Sequence, residues 1–341
     1  NCSVTAAGQI LLVCTSNGID RSHQKVAVPG APSFLGIDKT TGGVIWSDKS
    51  PGANVLHGQW SSPATAEIGG TTQAIFAGGD GWVYSFDPRG NGCGGAQLLW
   101  KFDCNPKVSR WGDSSQFERN NIIAMPVIHG DHVYVPTGQS PDRGEGRGRL
   151  WCINAAKKLD GTDVSDELAV GSDGKPLPHR RVQAVDRALD ERTIRNPETA
   201  AVWCYTGGDW NKDGKLSYDE QLHRTIASVA VDANLLIAAD TSGTVHCLDA
   251  QRGTAHWTYD TLAEVWASPL IVGDRLFIAD TEGIVSIFRL AANPQHAMKL
   301  ANGKLVPLIR WDFGDTIHST PTISKGVLYI ATQKTLYALQ L

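Results

Sequence analysis

The strongest candidate for chemistry in this sequence is one acidic stretch, DWNKDGKLSYDE, at residues 209–220. It fits the calcium-loop pattern D-x-[DN]-x-[DN]-G-x5-E at every specified position, and Gly214 supplies the sharp turn that the pattern needs. Oxygen atoms at alternate positions can converge on one hard cation, and a final glutamate can close the shell with two oxygens. The spacing therefore predicts a Ca²⁺ site, with a solvated acidic turn as the alternative. The ligands that the pattern assigns are Asp209, Asn211, Asp213, the backbone carbonyl of Lys215, Ser217 and Glu220.

The segments on either side of this loop decide what calcium would do there. AVWCYTGG, residues 201–208, is strand-like, whereas SYDEQLHRTIAS, residues 217–228, could begin with a short helix. A calcium sensor needs a pair of helices that opens on binding. We therefore expect a structural staple that fixes an insertion. Nucleophile-elbow, HExxH, phosphate-loop and dinucleotide patterns do not occur, so no catalytic or organic-cofactor residue is assigned.

The rest of the chain is a repeat that must position these residues. GIDKTTGGVIW (36–46) and CLDAQRGTAHW (247–257) align without a gap, so that Trp46 and Trp257 fall at the same place, and similar units end at Trp100, Trp203 and Trp311. Before each tryptophan strand the sequence predicts three more strands joined by tight turns that contain glycine, aspartate or asparagine. Repeated four-stranded antiparallel units are typical of a β-propeller, because one twisted sheet cannot bury both of its faces alone.

We therefore predict an all-β protein, a single β-propeller domain over residues 1–341 made of four-stranded antiparallel blades. Six repeats are legible, which is either the whole propeller or part of a seven- or eight-bladed ring. Residues 155–200 show little alternation and several prolines, so we expect a long insertion loop there. The calcium loop at 209–220 follows the next tryptophan strand.

Composition excludes several classes of function. The chain has a net charge of −4, only 19% charged residues and no long run of lysine or arginine, which argues against a nucleic-acid partner. No apolar stretch is long enough to span a membrane. The N-terminal residues look processed or truncated. The seven cysteines form no CxxC and no adjacent pair, although Cys93 and Cys104 could form a disulfide in an oxidising compartment.

A second group of candidates follows from the repeat itself. Trp60, Trp266 and His318 each stand three positions before the proline of a repeat, at the start of what we expect to be the innermost strand. With His57 and Arg224 they could form a mixed aromatic and polar ring near a propeller axis, where such folds bind ligands or partners. The alternative is that they pack as a plug. Polar neighbours in the sequence are Gln59, Arg119, Asn120 and Glu264.

The repeat pattern S-P…G…LYIA-D-x-x-G-x-V-x-x-L-D-x-x-x-G-x-x-x-W resembles the pyrroloquinoline-quinone-like (PQQ-like) propeller repeat of quinoprotein dehydrogenases and of the outer-membrane assembly lipoprotein family. GGDGWVYSFDPRG and the calcium loop also resemble bacterial exported proteins with this repeat. The resemblance implies a periplasmic or extracellular location. Quinone enzymes of the family hold their cofactor under an adjacent cysteine pair, which this sequence lacks, so we do not expect PQQ.

Together these features predict a non-enzymatic, calcium-stabilised propeller that serves as a scaffold for protein interaction or assembly. One alternative is a diverged quinoprotein-type oxidoreductase. Another is a module that binds glycan or another cell-surface polymer through Trp60 and Trp266.

Overall fold

The computed structural model describes residues 2–22, 24–112 and 114–340. The chain divides into two compact units, residues 1–204 (unit 1) and 205–341 (unit 2). Within the described residues no helix has the length and apolar character needed to cross a membrane. The expectation of a single domain over the whole chain stays a prediction.

Unit 1 is built from antiparallel sheets whose strands follow one another in the chain. The first sheet consists of β1 (Thr5–Ala7), β2 (Ile10–Cys14), β3 (Phe34–Asp38) and β4 (Val44–Asp48). The second consists of β5 (Ala64–Ile68), β6 (Thr71–Ala77), β7 (Trp82–Asp87) and β8 (Gln97–Asp103). The third begins with β9 (Val127–His129), β10 (His132–Pro136) and β11 (Leu150–Asn154). Short 3-10 helices lie at Gly52–Asn54, Pro141–Arg143 and Arg187–Leu189.

The insertion at 155–200 is more ordered than the long loop that we expected. It contains β12 (Thr162–Asp163), β13 (Glu167–Val170) and β14 (Arg192–Arg195), after which β15 (Ala201–Tyr205) completes the third sheet. β12 adds to the second sheet in parallel with β8, and β13 pairs with β14. Val164 and Val170 are each 1% exposed. These isolated apolar residues anchor the insertion although its sequence has no regular alternation.

Unit 2 repeats the same meander. Its first sheet consists of β16 (Ala230–Asp232), β17 (Leu235–Ala239), β18 (Thr244–Asp249) and β19 (Ala255–Asp260). The next sheet consists of β20 (Leu270–Val272), β21 (Arg275–Ala279), β22 (Ile284–Arg289) and β25 (Ile309–Asp312). Between β22 and β25 the chain forms α1 (Pro294–Ala297) and a separate hairpin of β23 (Lys299–Ala301) and β24 (Lys304–Val306). The last described strands are β26 (Thr322–Ser324), β27 (Val327–Ala331) and β28 (Leu336–Gln340).

The tryptophan positions predicted from the repeat are confirmed, since each lies in the fourth strand of its antiparallel meander; β8, which carries Trp100, is followed in its sheet by the added β12. Trp46 of the first sheet stacks on Phe86 of the second, at 5.5 Å between ring centroids, and donates its indole N–H to the carbonyl of Pro88 at 2.7 Å. Trp257 of unit 2 reaches the carbonyl of Ala291, beyond the next sheet's third strand, at 2.9 Å. A large ring that is buried between two sheets and has its polar atom paired holds neighbouring blades together.

Within each unit, first strands of neighbouring sheets lie side by side. β1 contacts β5 and β5 contacts β9 in unit 1, and β16 contacts β20 in unit 2. The loops that lead into these strands are therefore brought side by side. These are the loops in which the sequence placed its candidate ring.

The cysteines are all reduced within the described chain. Cys93 is exposed in the turn before β8, whereas Cys104 is fully buried just after that strand. Seven residues of extended chain keep the two about 20 Å apart, so the expected pairing does not form. Instead Cys2 packs against Cys14, and the two thiols share a hydrogen bond.

Candidate functional site

The acidic loop at 209–220 follows β15 and ends in a single turn of 3-10 helix, Tyr218–Glu220. The expected strand-like entrance is present, and the exiting helix is only this one turn. Gly207 pairs with Gln221 across the neck of the loop, and the N–H of Leu222 donates to the carbonyl of Thr206 at 2.8 Å. The loop is thus closed at its base by backbone pairing.

Backbone N–H groups of the loop hold its polar side chains inward. Asp209 accepts from the N–H of Gly214 at 2.9 Å, Asn211 accepts from that of Asp213 at 2.8 Å, and Asp213 accepts from that of Lys215 at 2.8 Å. Each of these bonds leaves lone pairs on the side-chain oxygen for a further partner. The loop therefore holds the side-chain oxygens of these three residues in defined positions through its own backbone.

Glu220 ties the two ends of the loop together. Its side chain is only 6% exposed. One carboxylate oxygen accepts from the N–H groups of Trp210 at 2.9 Å and Asn211 at 3.2 Å, and the other accepts from the N–H of Ser217 at 3.0 Å and its hydroxyl at 2.9 Å. These bonds, those from Ser217 foremost, lower the pKa of Glu220 and keep it ionised.

The donor set of the loop fits a hard divalent cation because it consists of oxygens only. In the described part of the chain, no three His, Cys, Asp or Glu side chains form a group that could hold a metal. A calcium shell here must therefore include the Asn211 amide and the Lys215 carbonyl beside the carboxylates. Calcium binding stays a prediction.

The second residue of the loop, Trp210, forms one wall of a cavity in unit 2. The cavity has a volume of about 300 Å³, and the indole of Trp210 is 44% exposed. β19 supplies the opposite wall, and the segment from α1 to β24 supplies the floor. The lining is mainly aromatic and apolar: Trp210, His256, Trp257, Thr258, Tyr259, Pro294, Met298 and Leu305.

A buried polar chain connects the base of the loop to β18. Asp240 lies 3.2 Å from Nε2 of His246 and 3.4 Å from Nδ1 of His223, and the Tyr205 hydroxyl lies 3.1 Å from Nδ1 of His246. Burial opposes the ionisation of Asp240, but hydrogen bonds from both histidines outweigh it and hold its pKa well below the ordinary range. His223 in turn packs against Tyr218 of the 3-10 turn, at 4.3 Å between ring centroids.

The candidate ring residues fall into two local pairs. In unit 1 the half-buried Trp60 meets His57 edge-on, at 5.0 Å between ring centroids. In unit 2 Trp266 stacks on the exposed His318 at 4.3 Å and donates its indole N–H to Glu264 at 2.7 Å. Arg224 is completely buried, and the Thr241 backbone N–H and hydroxyl both donate to its carbonyl.

Unit 1 also contains a buried charged cluster, of which the sequence indicated only Arg119. Asp103 lies 2.9 Å from the ammonium group of Lys107 and 3.7 Å from the guanidinium group of Arg119. Burial opposes ionisation of Asp103, but these two cations outweigh it and keep its pKa low. Asp80 accepts from the Tyr84 hydroxyl at 2.5 Å, and burial raises its pKa to about 7. Its contact with His179 is not an ion pair, because burial lowers the pKa of His179 to about 3.

Comparison with known proteins identifies the fold. A family model described as outer membrane protein assembly factor BamB matches residues 180–293, about a third of the chain. The structure is similar to BamB from Moraxella catarrhalis, with a TM-score of 0.54 and 13% identity over 98% of this chain and 67% of that one. It is also similar to the quinohemoprotein alcohol dehydrogenase from Comamonas testosteroni, with a TM-score of 0.58 and 12% identity over 98% of this chain and 52% of that one. No curated protein sequence matches the chain.

These likenesses confirm the predicted fold class and the resemblance to PQQ-like repeat propellers. At such low identities they show the fold alone. The chain spans about two thirds of that BamB and about half of that dehydrogenase.

Proposed function

We propose that this protein is a BamB-like propeller scaffold for protein interaction, in which calcium bound by the loop at 209–220 holds a partner-binding pocket in shape. One observation carries the proposal. Trp210 lies between two of the assigned calcium ligands, and its backbone N–H bonds to a third, Glu220. Its indole forms a wall of the apolar cavity. Ordering the loop around a cation therefore orders that wall.

The comparisons support the scaffold part of this proposal. The matching family model and one of the similar structures are both described by the name BamB, and the family is described as an outer membrane assembly factor. An assembly role for this chain is consistent with a propeller that presents an apolar pocket at its surface. From the same likeness we infer a periplasmic or other exported location.

Thermal melting with and without calcium tests the metal. The protein is stripped with EGTA, and its melting temperature is measured as calcium is added. Because the folded loop binds the ion and the unfolded chain does not, we expect calcium to raise the melting temperature in a saturable way. Replacing Glu220→Gln removes the ligand that closes the shell and should abolish that rise.

A matched control lies one residue earlier. Asp219 belongs to the same turn, but the loop pattern gives it no ligand role. Asp219→Asn changes the charge by the same amount and should keep the response to calcium. A melting temperature that is indifferent to both calcium and EGTA in the unaltered protein would remove calcium from the proposal.

The partner that best fits the pocket is a polypeptide that inserts an apolar side chain. The lining offers few polar groups for the hydroxyls of a sugar, and aromatic walls suit a large side chain. Selection of displayed peptides should therefore yield binders that need calcium and fail against Trp210→Ala. Trp266→Ala serves as the control and should bind normally.

Two other experiments separate the alternative functions. Loss of binding to insoluble glycan in Trp266→Ala, with no effect of Trp210→Ala, would favour a polymer-binding module. Release of a quinone on denaturing the purified protein, seen by absorbance and mass spectrometry, would favour the oxidoreductase and overturn the non-enzymatic role.

A further inference from the structure

Unit 1 holds a set of completely buried polar side chains whose polar atoms lack partners. Within the described residues, no hydrogen bond reaches any of the three guanidinium nitrogens of Arg119, nor either side-chain polar atom of Gln59 or Asn121. These three residues are 0% exposed, and Gln139, whose Oε1 is likewise unpaired, is 1% exposed. Buried polar groups in folded proteins are almost always paired, so a concentration of unpaired ones needs an explanation.

The four side chains belong to one region, around the turn between β6 and β7. A Cβ atom on Gly79 would lie 2.9 Å from Cγ of Gln59, and one on Gly81 would lie 2.4 Å from the carbonyl of Asn120. Gln139 donates from Nε2 to the carbonyl of Arg119 at 3.1 Å. Asn121 is bridged to Gly138, next to Gln139 in the chain. The Gly79–Gly81 turn is therefore flanked by the loops that lead into β5 and β9 and by the end of β10.

Among the described residues of this region, no anion is hydrogen-bonded to the guanidinium group of Arg119. Asp103 is the carboxylate nearest Arg119, but its Oδ2 is already bound by Lys107 at 2.9 Å and lies 3.7 Å from the guanidinium group. One ionised carboxylate thus serves two cations. His179 is neutral because burial lowers its pKa to about 3, and Asp80 is partly neutral at pH 7. Lys107 also interacts with the carboxylate of Glu167, so within the described residues the cation of this cluster that lacks a hydrogen-bonded partner is the guanidinium group of Arg119.

We propose that Arg119, together with Gln59 and Asn121, binds the carboxylate group of a small polar ligand in unit 1. The flat guanidinium fork matches the two oxygens of a carboxylate. The two amide side chains can both donate and accept, which suits a hydroxyl or carbonyl group beside that carboxylate. One guanidinium group without a hydrogen-bonded anion suits a monoanion better than a phosphate dianion. This site belongs to unit 1 and uses none of the residues of the calcium loop.

The protein is first stripped of calcium with EGTA, which is then removed by gel filtration. The test measures its melting temperature against the concentration of sodium acetate or sodium glycolate, with sodium chloride at equal ionic strength as the reference. We expect a saturable rise in melting temperature with at least one carboxylate. Arg119→Met should raise the half-saturating concentration of that carboxylate at least tenfold. The control Arg147→Met, which removes an arginine that is 62% exposed and paired with Glu118, should respond like the unaltered protein.

Several results would overturn the proposal. One is a rise in melting temperature with carboxylate that is no larger than the rise with chloride. The others are an equal rise with carboxylate in Arg119→Met and Arg147→Met, and saturable stabilisation by phosphate alone. If Arg119→Met fails to fold, Gln59→Leu replaces it as the test variant and should raise the half-saturating concentration of the carboxylate at least threefold. An unchanged response in Gln59→Leu would then refute the site. Because calcium has been removed beforehand, the outcome is independent of the calcium proposal.

Discussion

Replacing Asp80→Asn is expected to stabilise unit 1 at neutral and alkaline pH. The carboxyl group is fully buried in the turn after β6, where it accepts from the Tyr84 hydroxyl and from the N–H of Trp82. Neither partner is a cation, and burial raises its pKa from the ordinary 3.8 to about 7. The folded state therefore binds a proton at Asp80 more tightly than the unfolded state does.

The sign and size of the effect follow from that difference. Since the pKa is higher in the folded state, the contribution of Asp80 to stability is greatest below pH 3.8 and is lost as the pH rises through about 7. Full ionisation costs about 4 kcal/mol relative to the protonated group. Asparagine stays neutral and keeps the bond from Trp82, but rearranging the Tyr84 bond costs about 1 kcal/mol. The variant should thus gain about 3 kcal/mol at pH 8 and almost nothing at pH 4.

Asp240→Asn is a matched control with the opposite sign. Asp240 occupies the equivalent turn after β17, but its histidine partners hold its pKa low, so that its ionised form stabilises the fold above pH 3.8. The asparagine variant should lose stability at pH 7. Hydrogen exchange of β6 and β7 reports unit 1, and that of β17 and β18 reports unit 2, each compared with the unaltered protein at the same pH. A difference between Asp80→Asn and the unaltered protein that stays constant from pH 4 to pH 8 would refute the reasoning.

Two further predictions concern the first sheet. Gly36→Ala should lower the free energy of unfolding, measured by urea denaturation, by about 1–3 kcal/mol, because a Cβ there would lie 2.2 Å from Nε1 of the fully buried Trp46. Gly30→Ala is the control: a Cβ at Gly30 meets nothing within 4 Å, so the free energy of unfolding should not change. Iodoacetamide at pH 7 should alkylate Cys2 and not Cys14, because the hydrogen bond between the two thiols lowers the pKa of Cys2 to about 6 and raises that of Cys14. Mass spectrometry that finds Cys14 modified first would contradict this prediction.

The fold could be predicted in detail because its signals are local. The fourth strand of each four-stranded meander carries a tryptophan, and several hairpins are marked by a turn such as Asp80-Gly81 or Ser242-Gly243, so that the order and pairing of these strands follow from the repeat. The insertion could not be predicted in this way. β12 owes its place to parallel pairing with β8, a distant contact that leaves no period in the sequence.

The same distinction between local and distant contacts applies to the candidate sites. The calcium loop is a contiguous motif, so its residues were named from spacing alone. The pocket behind Trp210 depends on β19 and on the segment from α1 to β24. In the repeat pattern that segment is only a longer turn between two strands, so nothing in it indicated a pocket. Gln59 and Arg119 were noted as polar residues near the start of inner strands, but nothing in the sequence shows that their buried atoms have no partners. The only advance signal was the glycine-rich turn at 78–81, which allows other chain segments to approach closely.

The calcium loop and the Trp210 pocket are thermodynamically linked if both proposals hold. Glu220 accepts from the N–H of Trp210 and, in the proposed complex, also closes the calcium shell, so one side chain serves the ion and the pocket wall. An ion that favours the ordered loop must then raise the affinity of the pocket for its partner. By the same coupling free energy the partner must raise the affinity of the loop for calcium by an equal factor. With the loop closed at its base by strand pairing rather than by a pair of hinged helices, this coupling tightens one wall of a binding site and does not open a new surface.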